Sequence, residues 1–354
     1  MNKTLNNRKR IYNLDLLRIL VSFMVVVIHV SSYRWASVAS NTLDFYVYNV
    51  YDSLARSAVP LFIMISGVFF LDPTKQRGFK NIFKKYIIKL TLIYIIWGLI
   101  YYFYNIAFSS NIFDWKDMIH AVVDGPYHFW YIPTIIGLYI VSPILSCITK
   151  NANKKTFYYL FILFLIGCFL KTIINCSFLP HIQIIKDILN KFPIGIVCQY
   201  YSYFLLGYFL YYYDISLKHR KYIYILGVLS FLCCMFLTLL ISQYTGVNTE
   251  IFYNYFSVFT FFEACALFLS FKHGTFKSEK EYGFFFTTIS NCTLGIYVVH
   301  VLVMNFLFDF GLIHITNFNP FLSIPIVAIL VFIISFFLSY IIRKVRFKGD
   351  KSIF

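Results

Sequence analysis

The stretch NLDLLRILVSFMVVVIHVSS, residues 13–32, decides what kind of fold this chain has. Most of it is Leu, Ile, Val, Phe and Met, the composition of a helix of about 20 residues that crosses a bilayer. It also carries Asp15, Arg18, Ser22 and His29. At the helical period these four positions share an arc of about 60°, and the rest of the helix surface is apolar. A charged side chain facing mid-bilayer lipid costs roughly 2.5–3.5 kcal/mol on insertion scales, so the arc must face protein or a wet cavity. The helix is therefore one member of a larger membrane bundle.

Outward from this stretch, comparable apolar runs recur along all 354 residues. The expected spans are 12–33, 54–71, 86–106, 129–148, 157–176, 193–213, 221–242, 251–271, 284–308 and 320–342. The fold class is all-α: a polytopic bundle of about ten transmembrane helices forming a single domain, 1–354, with no internal repeat or soluble appendage. A composition 60% hydrophobic and 13% charged supports it, as does a mean hydropathy of +0.71, because a soluble surface needs more charge.

The net charge of +16 does not point to nucleic acid, because the basic residues lie in short clusters between apolar runs. Only Arg34, Arg56, Lys116, Lys171, Lys186 and Lys191 fall in the segments that would be outside if the N-terminus is cytoplasmic. Arg18 and Lys89 lie within spans, and the other basic residues are inside. That bias places both termini in the cytoplasm. The start NKTLNNRKR imitates a signal peptide and ASVAS at 36–40 a cleavage site, but Asp15 and Arg18 interrupt the apolar run, so it reads as a retained first helix. The eight cysteines form no CxxC and read as small buried hydrophobes, with no metal site expected.

Depth separates the polar residues of the first span. Arg18 lies near the inner interface, and His29 is about 16 Å farther out. A neutral imidazole there suits a general base; an interhelical hydrogen bond is the competing reading. Asp15 can orient Arg18. In the late span, Ser290, Thr293, Tyr297 and His300 share an arc of about 80°, and His300 also reaches the outer half. His29 and His300 can thus face one another across a cavity, or His300 can make a core hydrogen bond. The outer loop 107–128, with Asp114, Asp117, His120, Asp124 and His128, either covers a site or is solvated. Glu263 reads as a structural interhelical group, and Ser66–Gly67 as a close helix approach or break.

These residues match a known pattern. The chain resembles the acyltransferase-3 family of ten-helix membrane acyltransferases, whose first helix carries Arg, ten residues, then His, here Arg18 and His29. SLARSAVPLFIMISGVFFL at 53–71 is similar to the family's second helix. HFWYIPTIIGLYIVSPIL at 128–145 is similar to its His–aromatic–Trp segment, and SNCTLGIYVVHVLV at 290–303 to its late LGIYxxH helix. Within the family the chain looks most like the enterobacterial common antigen O-acetyltransferase type.

The resemblance implies a bacterial cell-membrane enzyme with cytoplasmic acyl-CoA, acetyl-CoA foremost, as donor. The acceptor would be a carbohydrate: a surface polysaccharide, a lipid-linked glycan or a peptidoglycan sugar. No metal or prosthetic group is implied, and succinyl stays open as the acyl group. It makes His29 and Arg18 essential; Arg56, which matches the second-helix segment, either contacts the acceptor or stabilises an oxyanion, His300 is expected to be catalytic from its depth and period, and His128, Trp130 and Tyr297 are expected at the acceptor. Arg18 and Asp15 would serve the coenzyme A end together with Lys84, Lys85 and Lys89. The chain departs from the family here: FKKYIIKL replaces an R-x-x-R pair, and lysine lacks arginine's bidentate fork. The alternative function is a polysaccharide or small-molecule exporter, which would also bury charges but commonly shows related halves. The His-x4-Asp motif of soluble-type glycerolipid acyltransferases is absent.

Overall fold

The computed structural model describes residues 10–75, 78–108, 112–176, 178–179, 181–191, 194–274 and 279–346. The basic segments 1–9 and 347–354, part of the expected inner charge, lie outside the described residues, as does Pro193 at the expected start of one span. The described chain is helical: α1 Tyr12–Trp35, α2 Leu43–Ala55, α3 Ala58–Phe70, α4 Phe79–Ile82, a π-helical turn Phe83–Ile87, α5 Ile88–Phe108, α6 Trp115–Asp124 and α7 Tyr131–Asn151. There follow α8 Lys154–Asn175, α9 Ile182–Asn190, α10 Tyr200–Tyr212, α11 Leu217–Thr245, α12 Val258–His273, α13 Glu279–Asp309 and α14 Pro320–Arg346. Among the described residues, nine helical segments are long and apolar enough to cross a membrane.

Seven of the nine agree with expected spans to within a few residues, and an eighth, expected at 86–106, begins seven residues earlier, at Phe79. The other, expected at 54–71, runs from Leu43 to Phe70 as α2 plus α3. Asn49, Asp52, Ser53, Arg56 and Ser57 depress the hydropathy of its first half, yet all five are buried. Pro60 accounts for the break between the two helices: it donates no hydrogen bond, and its ring crowds the carbonyl four residues back, at Arg56. Among its described residues, the tenth expected span, 193–213, contains a short 3-10 turn, Ile194–Ile196, and the 13-residue α10. At about 20 Å it is shorter than the hydrocarbon core. Its residues Ser202 to Leu210 are buried in one continuous run, so protein encloses it, the condition under which a short helix is tolerated at membrane depth.

α1 is the central post, packed against α2, α3, α12, α13 and α14. The two short helices cross backbone to backbone: a Cβ on Gly67 of α3 would lie 1.9 Å from the Phe204 carbonyl oxygen, and one on Gly207 of α10 would lie 2.1 Å from that of Met64. This is the close approach expected at Ser66–Gly67, and it needs glycine on both sides. Gly207→Val should therefore lower stability by about 1–3 kcal/mol or more. Thermal unfolding in detergent checks this, and an unchanged melting temperature would contradict the crossing.

Side chains cap the polar ends. Thr42, Asn153, Ser216 and Ser257 accept the first free backbone N–H groups of α2, α8, α11 and α12. Outside the spans, Asp72 binds the Thr74 backbone and hydroxyl at 3.0 and 2.6 Å and Lys75 at 2.7 Å. Burial works to raise the Asp72 carboxyl, but these bonds hold it down at about 2. All eight cysteines are free, with Cys168 and Cys198 in contact at 3.9 Å.

Candidate active site

The helix-1 row forms as its periodicity requires. At its N-terminal end Asp15 is fully engaged: Arg10 binds one carboxylate oxygen, while Ser290 binds the other at 2.7 Å and Arg18 approaches it at 3.7 Å. Arg10 also donates to Asn291 and the Thr287 carbonyl. Asp15 thus ties the chain's start to α13 and orients Arg18. The Arg18 guanidinium lies over Phe69 at 5.5 Å and within electrostatic reach of Tyr131 and Tyr139. Tyr139 stacks on Phe70 at 3.7 Å, and Tyr86 packs edge-on against both. Lys84 and Lys85 project from the π-helical turn into solvent, Lys85 near the Tyr86 ring, and Lys89 is half-buried in α5. The cationic residues and this aromatic patch gather at one end of the bundle. Farther along the row Ser22 is buried, and its hydroxyl has no partner.

Toward the other end stand three histidines. His29 of α1, His128 of the turn before α7 and His300 of α13 have ring centres 5.0 Å (29–300), 5.2 Å (128–300) and 5.9 Å (29–128) apart. His300 thus faces His29 as its depth and period suggest, and His128, expected at the acceptor, joins them. His300 Nδ1 lies 2.6 Å from the Tyr297 carbonyl and 3.2 Å from that of Ile296. Carbonyls only accept, so Nδ1 carries the proton and Nε2 is left as an acceptor. That Nε2 is buried without a partner, as is Nδ1 of His128. His29 Nδ1 meets the Tyr127 hydroxyl at 3.3 Å. Among the described residues no group of three His, Cys, Asp or Glu is arranged to hold a metal ion.

Tyrosines fix this cluster. The Tyr297 hydroxyl donates to the His128 carbonyl, and the Tyr297 ring packs on Tyr131 at 5.6 Å. Tyr101 of α5 lies 3.5 Å from His128 Nε2, and its hydroxyl donates to Val298 O at 3.1 Å and accepts from Leu302 N at 2.9 Å. Those two backbone groups would otherwise bond to each other, so Tyr101 has entered the α13 ladder beside His300. Nothing in the sequence singles Tyr101 out among the thirty tyrosines. Trp130 is turned elsewhere, onto Tyr255 at 5.3 Å and Tyr200 at 5.9 Å.

Arg56 lies within electrostatic reach of His29 but outside the histidine cluster. Its guanidinium binds Asp52 at 2.5 Å and covers the Tyr253 ring at 4.2 Å, while its Nε has no partner. Asn49 accepts from Tyr253 and donates to the Met235 carbonyl, which extends the polar core to α11. Glu263 of α12 is 6% exposed with an unpartnered carboxylate oxygen. The loop residues His120 and Asp124 are exposed on α6, and Asp114 caps that helix.

Residues 11–340 match the family described as an acyltransferase domain, acyltransferase-3. No curated protein and no solved structure matches the chain.

Proposed function

The chain belongs to the acyltransferase-3 family and is a multi-pass membrane acyltransferase, and from that premise we propose that it moves an acyl group, acetyl foremost, from acyl-CoA to a hydroxyl of a cell-envelope carbohydrate. The observation that carries the reading is the His29–Tyr127 contact: a ring nitrogen of the first-helix histidine meets, at 3.3 Å, a hydroxyl that lines a cavity. Arg18 and the Lys84, Lys85 and Lys89 patch supply positive charge for the coenzyme A phosphates at the other end of the row. Arg18 to His29 spans about 16 Å, a length suited to a donor with its charged head at one end and its thioester at the other. The positive-inside bias supports a charged head at the cytoplasmic face of a cell membrane.

In this reading His29 takes the acceptor's hydroxyl proton as oxygen attacks the thioester carbon. The C–O bond forms, the C–S bond breaks, and the leaving thiolate receives the proton back from the imidazolium as free coenzyme A. A Tyr127 hydroxyl that donates to His29 Nδ1 leaves that nitrogen as the lone-pair side of the ring, the side that faces the cavity wall. His128, braced by Tyr101 and Tyr297, and Arg56 supply donor groups and positive potential for the oxyanion.

The experiment is acyl-label transfer from acyl-CoA by the purified protein in nanodiscs. Arg18→Ala should raise the KM for acyl-CoA by about 10–100-fold, as loss of a charge-assisted bond does, with acceptor KM unchanged. Export of a sugar without acyl-CoA consumption would favour the transporter instead.

A further inference from the structure

At the end of the bundle opposite Asp15, α6 packs on α5 and roofs a cavity of about 220 Å³ lined also by α13. Gly98 of α5 faces this helix, and a Cβ there would touch the backbone of Ala121 and Val122 at 3.4 Å. Two tyrosines of α5 pin the roof, Tyr94 donating to the Val123 carbonyl at 2.8 Å and Tyr102 to that of Asp114 at 2.6 Å. At Gly125 the chain turns with φ +65°, and a Cβ would collide with the Tyr94 hydroxyl at 2.7 Å. The roof is therefore held at a set height.

The interior is specific in its chemistry. Tyr101 and Tyr127 supply ring faces, Tyr127 also its hydroxyl, and Asn105 and Asn305, one helical turn beyond Tyr101 and Val301, supply two amides. Neither amide takes a hydrogen bond from a described residue. None of the lining residues is charged. An amide both donates and accepts, which matches neighbouring hydroxyls, and aromatic faces match a ring's C–H side. A carboxylate in this cavity would find no cation among the lining residues. A space of about 220 Å³ suits one small ring at a time. Tyr127 is shared with His29, so a ring hydroxyl at this wall stands beside the base.

We infer that this cavity is the acceptor site and takes one uncharged, polyhydroxylated ring, a single neutral sugar unit of the acceptor. The inference rests on the acyltransferase reading above. It assigns Asn105 and Asn305 to holding the acceptor and α6 to limiting its size.

The test uses nanodisc-embedded wild type, the Asn105→Leu/Asn305→Leu double variant and the near-isosteric Asn305→Asp. Acyl-CoA and acceptor are varied separately. The acceptors are methyl glycosides of neutral hexoses and N-acetylhexosamines, with methyl hexuronides as the charged set. The expected result is a KM for neutral glycosides raised roughly tenfold or more in the double variant. The KM for acyl-CoA should stay within about twofold, and wild type should prefer neutral glycosides to uronides. Asn305→Asp, which keeps the side chain's shape, should also weaken neutral acceptors, so a fold defect in the double variant does not decide the matter. Unchanged acceptor KM in both variants, equal use of uronides, or acyl-CoA consumption with none of the neutral glycosides accepted would overturn the site while leaving the enzyme reading intact. No acyl-CoA turnover by wild type would overturn both.

Discussion

His29→Ala lowers acyl transfer by about 10²–10⁴-fold, the range of a lost general base. The size follows from what remains in the variant. His300 Nε2 is an acceptor, but its other nitrogen is committed to the Tyr297 and Ile296 carbonyls, so it cannot turn toward the cavity without breaking two bonds. His128 is held by Tyr101 and Tyr297. Neither can replace a base whose nitrogen already meets the cavity wall. Acyl-CoA binding should persist, because Arg18 lies about 16 Å away. The measurement is kcat with acyl-CoA affinity determined on the same preparation. His29→Gln, which keeps a polar side chain but cannot act as a base, should be equally inactive.

Arg56→Ala is the largest expected loss of stability, about 3–5 kcal/mol, because it leaves Asp52 charged and buried without its partner. Asp52 is 0% exposed, and its one bonded oxygen is bonded to Arg56. The guanidinium also covers Tyr253, so truncation opens a gap between α2 and the turn before α12. Removing both charges should be far milder, since apolar replacement of a buried pair is often close to neutral. Arg56→Met with Asp52→Leu is therefore expected to unfold near the wild-type temperature in detergent, while Arg56→Ala alone is recovered poorly. Activity separates folding from chemistry: a folded but inactive double variant supports a direct role for the Arg56 charge, and an active one makes Arg56 a strut alone.

Much of this was legible in the sequence for definite reasons. The helix-1 row survived intact because a single period relates Asp15, Arg18, Ser22 and His29, and lipid forbids any outward placement. His300 emerged by the same argument on α13. What stayed hidden depended on partners. α2 was cut short because Asn49, Asp52 and Arg56 look like a loop until each is seen buried against another helix. α10 was expected to span because it is apolar, yet it is enclosed, and only the Gly67 and Gly207 contacts explain its length. α6 lay inside an expected loop, since ten residues with both charges and aromatics carry no membrane signal. Tyr101 acts by inserting between Val298 and Leu302, two hundred residues away, which no local pattern encodes.

The central claim is that the reacting thioester comes to His29. The most direct measurement is an experimental structure of the nanodisc-embedded protein with a non-hydrolysable acetyl-CoA analogue. The account predicts the acyl carbon about 3–4 Å from where a hydroxyl bound to His29 would place its oxygen, with the phosphates against Arg18 and the lysine patch. An analogue bound with its acyl group away from the His29, His128 and His300 cluster would contradict it.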